Sequence, residues 1–215
     1  IRQYLDGTAA SGLYEAKLGA ECFGGETHVY SPAYRAEDMA ELIRICGHIV
    51  FNSFSQWERY GRQALSAGCS CGLRINPECS TQNHAIYDPC SPGSRLGVTL
   101  ANFEPGALEG LSGLHMHTLC EQNADALVQT LRAAEEKFGA FMHGMQWLNL
   151  GGGHHITRPN YDVETLVCEL IRVRDKYGVQ VYIEPGEAVA LNAGWLISTV
   201  LDITRNGVDI AILDT

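Results

Sequence analysis

The chain reads as an α/β protein built on a closed parallel barrel, (β/α)8 in plan, and three observations carry that reading. Strand candidates and helix candidates alternate almost from end to end of its 215 residues. Most strand candidates are apolar on both faces, as a parallel sheet covered by helices requires. The residues able to do chemistry gather at the C-terminal ends of those strands, where parallel barrels place their sites.

The first strand candidate is 7–10, with Ser11 placed to cap a helix over 12–22. THVYS at 27–31 is a strand and 35–46 its helix. HIVFNS at 48–53 follows, with Ser55 starting a helix over 56–67. CGLRIN at 71–76 and LSGLHMH at 111–117 are the next strands, and a helix over 121–138 comes after the second. In that helix Leu127, Leu131, Ala134 and Phe138 recur at helical spacing. Residues 146–150 form a strand ahead of a helix over 162–177, and VQVYIE at 179–184 closes the series. The polar loop 77–93 is too long for a plain connection and reads as functional. Seven strands result where a closed barrel needs eight. The absent strand is expected to precede Ile1, so residues 1–188 read as seven-eighths of a barrel. Beyond Glu184 the pattern changes, and residues 189–215 read as a transition toward a second, β-rich region. Both ends read as cut, and the chain is expected to be a fragment.

Composition narrows the function classes. A formal charge of −10 argues against nucleic acid and against an anionic membrane surface. No apolar run approaches the roughly 20 residues of a membrane span. The eight cysteines are scattered without a paired metal-binding array, which reads as reduced thiols and a cytoplasmic protein, with no metal expected.

The strand ends supply Ser11, Asn52 and Ser53, Arg74 with Asn76, His117, Gly151 to Gly153, and Glu184 before Pro185 and Gly186, with Asp214 ending a further strand-like stretch, VDIAILD at 208–214. In QWLNLGGGHH at 146–155 an apolar strand runs straight into three glycines, a turn able to offer backbone N–H groups to an anion. Each residue alone has an ordinary reading. A strand-end histidine is commonly a structural hydrogen-bonding group, a glutamate before Pro-Gly a turn residue, and Arg74 half of an internal ion pair. Together they suit a planar, phosphorylated ring that contains nitrogen, with the glycines on its phosphate, His117 on its face and Glu184 at its nitrogen.

The stretches HVYSPAY (28–34), IVFNSFSQWERY (49–60), LRINPE (73–78), YDPCSPGSRLGV (87–98), GLHMHTLCEQ (113–122), WLNLGGGHHITRPNYD (147–162) and VYIEPGEAVALN (181–192) resemble the fold-type III pyridoxal-phosphate decarboxylases. That group holds the ornithine, arginine and diaminopimelate enzymes. GGGHHITRP and YDPCSPGSRLG point within it to the branch acting on carboxynorspermidine and carboxyspermidine. The resemblance implies an alanine racemase-like barrel, pyridoxal 5'-phosphate, a homodimer and a polyamine-like substrate. It implies that His117 stacks on the cofactor ring, that Gly151, Gly152 and Gly153 bind its phosphate, and that Glu184 meets the ring nitrogen. Arg74, with Ser94 and Arg95, lies in segments that shape the pocket, and Asp214 matches an aspartate for the substrate's distal amine.

Two departures stand out. Cys120 and Glu187 occupy positions where the ornithine enzymes carry a serine and an arginine against the phosphate. The family's Schiff-base lysine sits on the first barrel strand, whereas Lys17, Lys137 and Lys176 all fall in helix-like segments. The chain as given is therefore expected to be inactive, lacking that lysine and the C-terminal β-domain. Three alternatives stay open: another pyridoxal-phosphate amino-acid decarboxylase, a non-catalytic homologue, or a metal-dependent barrel hydrolase using His115, His117, His154, His155 and Asp214.

Overall fold

The computed structural model describes residues 2–215. Seven parallel strands form one curled sheet in sequence order: β1 (Gly7–Ala10), β2 (Glu26–Tyr30), β3 (His48–Phe51), β4 (Ser70–Arg74), β5 (Gly113–His115), β6 (Trp147–Asn149) and β7 (Gln180–Tyr182). Five helices lie between or beside them: α1 (Leu13–Leu18), α2 (Ala36–Ile45), α3 (Phe54–Ser66), α4 (Ala124–Met142) and α5 (Val163–Tyr177). This is the parallel α/β barrel plan, open between β1 and β7 among the described residues. The curl is tight enough that the Tyr182 ring on β7 stands edge-on to His28 on β2, centroids 4.8 Å apart.

The sheet is sandwiched as its apolar strands require. Phe51, Leu73 and Leu114 on the strands and Leu131 and Phe138 on α4 are 0–1% exposed. Each such side chain contributes about 1.5–3 kcal/mol by leaving water. Inside the curl, side-chain bulk is complementary. Gly72 and Gly113 sit side by side on β4 and β5, in register with Trp147 on β6. A Cβ at either glycine would run into the Trp147 indole. The indole fills that notch and donates from Nε1 to Ser70 Oγ at 2.8 Å.

Several boundaries differ from the sequence reading. The 12–22 helix is one α-turn pair followed by a π-helical stretch at Gly19–Phe23, and Ser11 bonds Glu15 through both its N–H and its hydroxyl instead of capping by itself. Ser53, not Ser55, caps α3: its Oγ accepts the Gln56 N–H at 3.3 Å. The loop 77–112 contains three short 3-10 turns, at Ala85–Tyr87, Leu100–Asn102 and Pro105–Ala107. After α6 (Gly186–Ala190) come β8 (Val200–Asn206) and β9 (Val208–Leu213), which pair with each other as an antiparallel hairpin and not with the barrel sheet. No described helix is long and apolar enough to cross a membrane.

Candidate active site

Strand register alone gathers the site. Arg74 on β4 pairs laterally with His115 on β5, and His115 with Asn149 on β6. Two residues beyond Tyr182, Glu184 points the same way as that row, because side chains alternate along a strand. Asn149 Nδ2 donates to Glu184 Oε1 at 2.8 Å, and His115 Nε2 faces Glu184 Oε2 at 3.4 Å. Burial opposes a charge on Glu184, but these partners outweigh it and hold the carboxyl down at about 2. Burial pushes His115 down, against the pull of the Glu184 carboxylate, which favours its charged form. Glu184 is thus an ionised carboxylate in a site largely closed to water.

His117 lies one step further out. Burial first, then Arg74 and His115, push it down to about 4, so it is neutral at physiological pH. Its Nδ1 accepts the Gly152 N–H at 3.3 Å, which leaves the ring proton on Nε2. Arg74 is 5% exposed and pairs with no carboxylate among the described residues. Its Nη2 donates to the His117 carbonyl at 2.9 Å, and its guanidinium lies 4.5 Å from the centre of the Tyr30 ring. The Tyr30 hydroxyl donates to Asn52 Oδ1, which also accepts the Gly97 N–H, while Asn52 Nδ2 donates to the Arg95 carbonyl. Asn52 and the 94–97 segment therefore form the wall behind Arg74.

The glycine turn forms, but it leaves fewer N–H groups free for a phosphate than the three the sequence reading gave it. Gly151 and Gly153 hold φ of +71° and +80°, conformations other residues rarely adopt. A Cβ on Gly152 would come to 2.5 Å from the Glu184 carbonyl and 3.1 Å from His117 Cε1. Of the three N–H groups, Gly151's is engaged by Asn149 Oδ1 at 2.8 Å and Gly152's faces His117. Only the Gly153 N–H has no acceptor among the described residues. That turn borders a cavity of about 300 Å³ lined by His117, Cys120, Glu121, Gly153, His155 and Glu187, with Tyr87 and Pro89 reaching in from the long loop.

The structure thus brings together Arg74, His117, Gly151, Gly152, Gly153 and Glu184. It does not bring Asp214 to them. That side chain is exposed, after β9, where Oδ1 accepts from the Thr199 N–H at 2.9 Å and from Ser198 Oγ at 3.1 Å; it ties the hairpin. The hydrolase set built on Asp214 is likewise not assembled. All three lysines are helical and engaged elsewhere: Lys17 with Glu41, Lys137 with the Pro77 carbonyl and Glu78, and Lys176 with Glu135. Sequence reasoning missed Asn149, although a lone amide inside the buried WLNL strand was the available signal. It also passed over His115 as a partner of Glu184, although a His-x-His on one strand puts both rings on one face.

No family model matches the chain. Over its full length it is 46% identical to the carboxynorspermidine/carboxyspermidine decarboxylase of Campylobacter jejuni, covering 56% of that protein. It is 41% identical, over 94% of its residues, to the carboxyaminopropylagmatine decarboxylase of Synechocystis, covering 53% of it. The crystal structure of carboxynorspermidine decarboxylase complexed with norspermidine, from Campylobacter jejuni, superposes on the whole chain with a TM-score of 0.85 at 45% identity, using 55% of that chain. The resemblance to this decarboxylase group is borne out in sequence and in fold. The chain spans about half the length of the curated relatives it matches.

Proposed function

We propose that this chain is the cofactor-binding barrel of a pyridoxal-phosphate decarboxylase, a carboxy-lyase of polyamine biosynthesis that converts carboxynorspermidine or carboxyspermidine to norspermidine or spermidine. The observation that carries the reading is the buried, ionised Glu184 carboxylate, gripped by Asn149, at the strand ends of a chain so similar to decarboxylases with those substrates. A second substrate, carboxyaminopropylagmatine, is favoured by the likeness to the Synechocystis enzyme.

The residues present fit pyridoxal phosphate. Glu184 would face the ring nitrogen, neutral His117 would lie against the ring, and the Gly153 N–H would meet the phosphate. When bound, this cofactor supplies a ring that takes up the electron pair left behind by carbon dioxide. The chain's own part is to favour that transfer. Glu184, kept ionised, stabilises a proton on the ring nitrogen. Asn149 fixes the carboxylate's direction. Arg74, a buried cation without a carboxylate of its own, would orient the substrate carboxylate before it departs. The walls formed by Tyr30, Asn52 and the 94–97 segment keep water from the cationic centre. We further propose a homodimer in the cytoplasm, with residues 1–188 as the barrel and 189–215 leading into a β-rich region. The apolar residues exposed on the hairpin, Leu201, Ile203 and Ile212 among them, support a covering partner there.

The test is carbon dioxide release by the whole protein with each carboxylated triamine, carboxyaminopropylagmatine, diaminopimelate and ornithine. The triamine acids should turn over far faster; faster turnover of ornithine or diaminopimelate overturns the substrate reading. In Glu184→Gln, turnover should fall by about tenfold for each 1.4 kcal/mol added to the barrier. Cofactor affinity should change much less.

A further inference from the structure

The glycine turn by itself leaves a phosphate underserved. A phosphate group presents three strong acceptor oxygens, and the turn has one free N–H for them, that of Gly153. No lysine or arginine among the described residues lines the 300 Å³ cavity beside that N–H. Two carboxylates do, Glu121 and Glu187, but both are exposed. Water mutes a charge it can reach, whereas a donor held away from water acts strongly on an anion. Further donors therefore have to come from the buried side chains of the lining.

Three histidines border the cavity: His117, His154 and His155. His117 is neutral, and its Nδ1 faces the Gly152 N–H. Burial pushes His154 down, and the Leu150 and Gly151 carbonyls, within its own turn, pull the other way, so its N–H has acceptors at hand. His155 is the one left over. It is 5% exposed, and neither ring nitrogen has a hydrogen-bond partner among the described residues. Buried ring nitrogens are seldom left so. Its Nε2 lies 3.3 Å from Glu187 Oε1, within reach of a carboxylate but off the line of a hydrogen bond.

The backbone fixes this ring close to the free N–H. The Gln122 N–H donates to the Gly153 carbonyl at 2.9 Å and the His155 N–H to the Gln122 carbonyl at 3.2 Å. Residues 153 and 155 are thus strapped to one short parallel bridge, Gln122 beside His154. Glu187 comes from α6 on the other side.

We infer that His155 is a phosphate-binding residue: its ring donates one N–H to the anion while Glu187 accepts the other and holds the ring in place. An imidazole that donates from both nitrogens is a cation, so it brings the positive charge that the lining otherwise lacks. The choice of phosphate as the anion rests on the pyridoxal-phosphate reading. The whole protein, stripped of cofactor, tests it with pyridoxal phosphate, pyridoxal and inorganic phosphate. His155→Leu should weaken pyridoxal phosphate and inorganic phosphate by about tenfold or more and leave pyridoxal unchanged, since pyridoxal carries no anion. His155→Gln, which keeps one donor, should recover part of the loss, and His48→Asn should lose nothing. Nitrogen NMR of labelled histidine should show both His155 ring nitrogens protonated in the phosphate complex. An equal loss for pyridoxal, undiminished phosphate affinity in His155→Leu, a neutral His155 ring in the complex, or wild-type protein that takes up no phosphate would overturn the assignment. Protein that binds inorganic phosphate through His155 but neither form of the cofactor would instead overturn the cofactor reading and leave this site standing.

Discussion

The barrel carries the same residue types at its two ends, two histidines and a glutamate, and treats them in opposite ways. At the strand C-terminal ends Glu184 is 19% exposed, holds a 2.8 Å bond from Asn149 and faces a His115 side chain cut off from water. At the N-terminal ends Glu26 is 47% exposed and reaches His28 at 2.9 Å, while His28 and His48 lie flat against each other between Trp147 and Tyr182. The first cluster is organised by hydrogen bonds in a dry setting, where a fixed charge acts strongly on whatever binds. The second is organised by ring packing beside solvent, where the same charge is muted. Composition alone does not make a site; the difference lies in which groups water can reach.

The largest expected effect strikes the packed end. Trp147→Ala should cost about 3–5 kcal/mol in a urea titration, because its notch is too deep to refill. A loss below about 1 kcal/mol would mean that hydrogen bonds, not ring packing, hold that end. Asn149→Ala strikes the other end. It strips a partner from a buried carboxylate and from the Gly151 N–H at once, for an expected cost of about 3 kcal/mol. It should also raise the Glu184 titration, visible by carboxyl NMR.

The pH dependence comes next. His117 titrates near 4 when folded and about 6.5 when unfolded, so the unfolded chain takes up the proton first as pH falls. Its contribution is complete above the unfolded value and lost on the way down to the folded one, about 2 kcal/mol by pH 5. His117→Asn should flatten that slope in denaturant midpoints measured from pH 7 to pH 5. His48 is likewise pushed down to about 4 by burial and then by His28, so its slope should remain in that variant. The smallest effect belongs to Glu26→Gln, which should shift stability by less than about 1 kcal/mol. A larger loss would mean that the two ends are alike after all.

The barrel was legible because a doubly covered parallel strand has to be apolar on both faces, which left all seven strands visible. His117, the glycines and Glu184 were legible because each sits where such a strand stops. What stayed hidden depends on neighbours that are distant in sequence. Ser53 rather than Ser55 caps α3 because the chain leaves β3 extended at that residue. Asn149 acts through partners 2 and 35 residues away. Asp214 ends a strand as expected, but that strand pairs in a hairpin of its own, so the rule about barrel strand ends does not reach it.

The notch at Gly72 and Gly113 carries a consequence for how this sequence can drift. Three positions scattered over 76 residues of chain share a single allotment of space inside the curl. Neither glycine can gain a methyl group while the indole remains, and the indole cannot shrink without stranding both. In a family of such sequences the three should change in concert, with alanine at 72 or 113 accompanied by a slimmer side chain at 147. A library randomised at these sites together should return survivors that conserve their summed volume, not their identities.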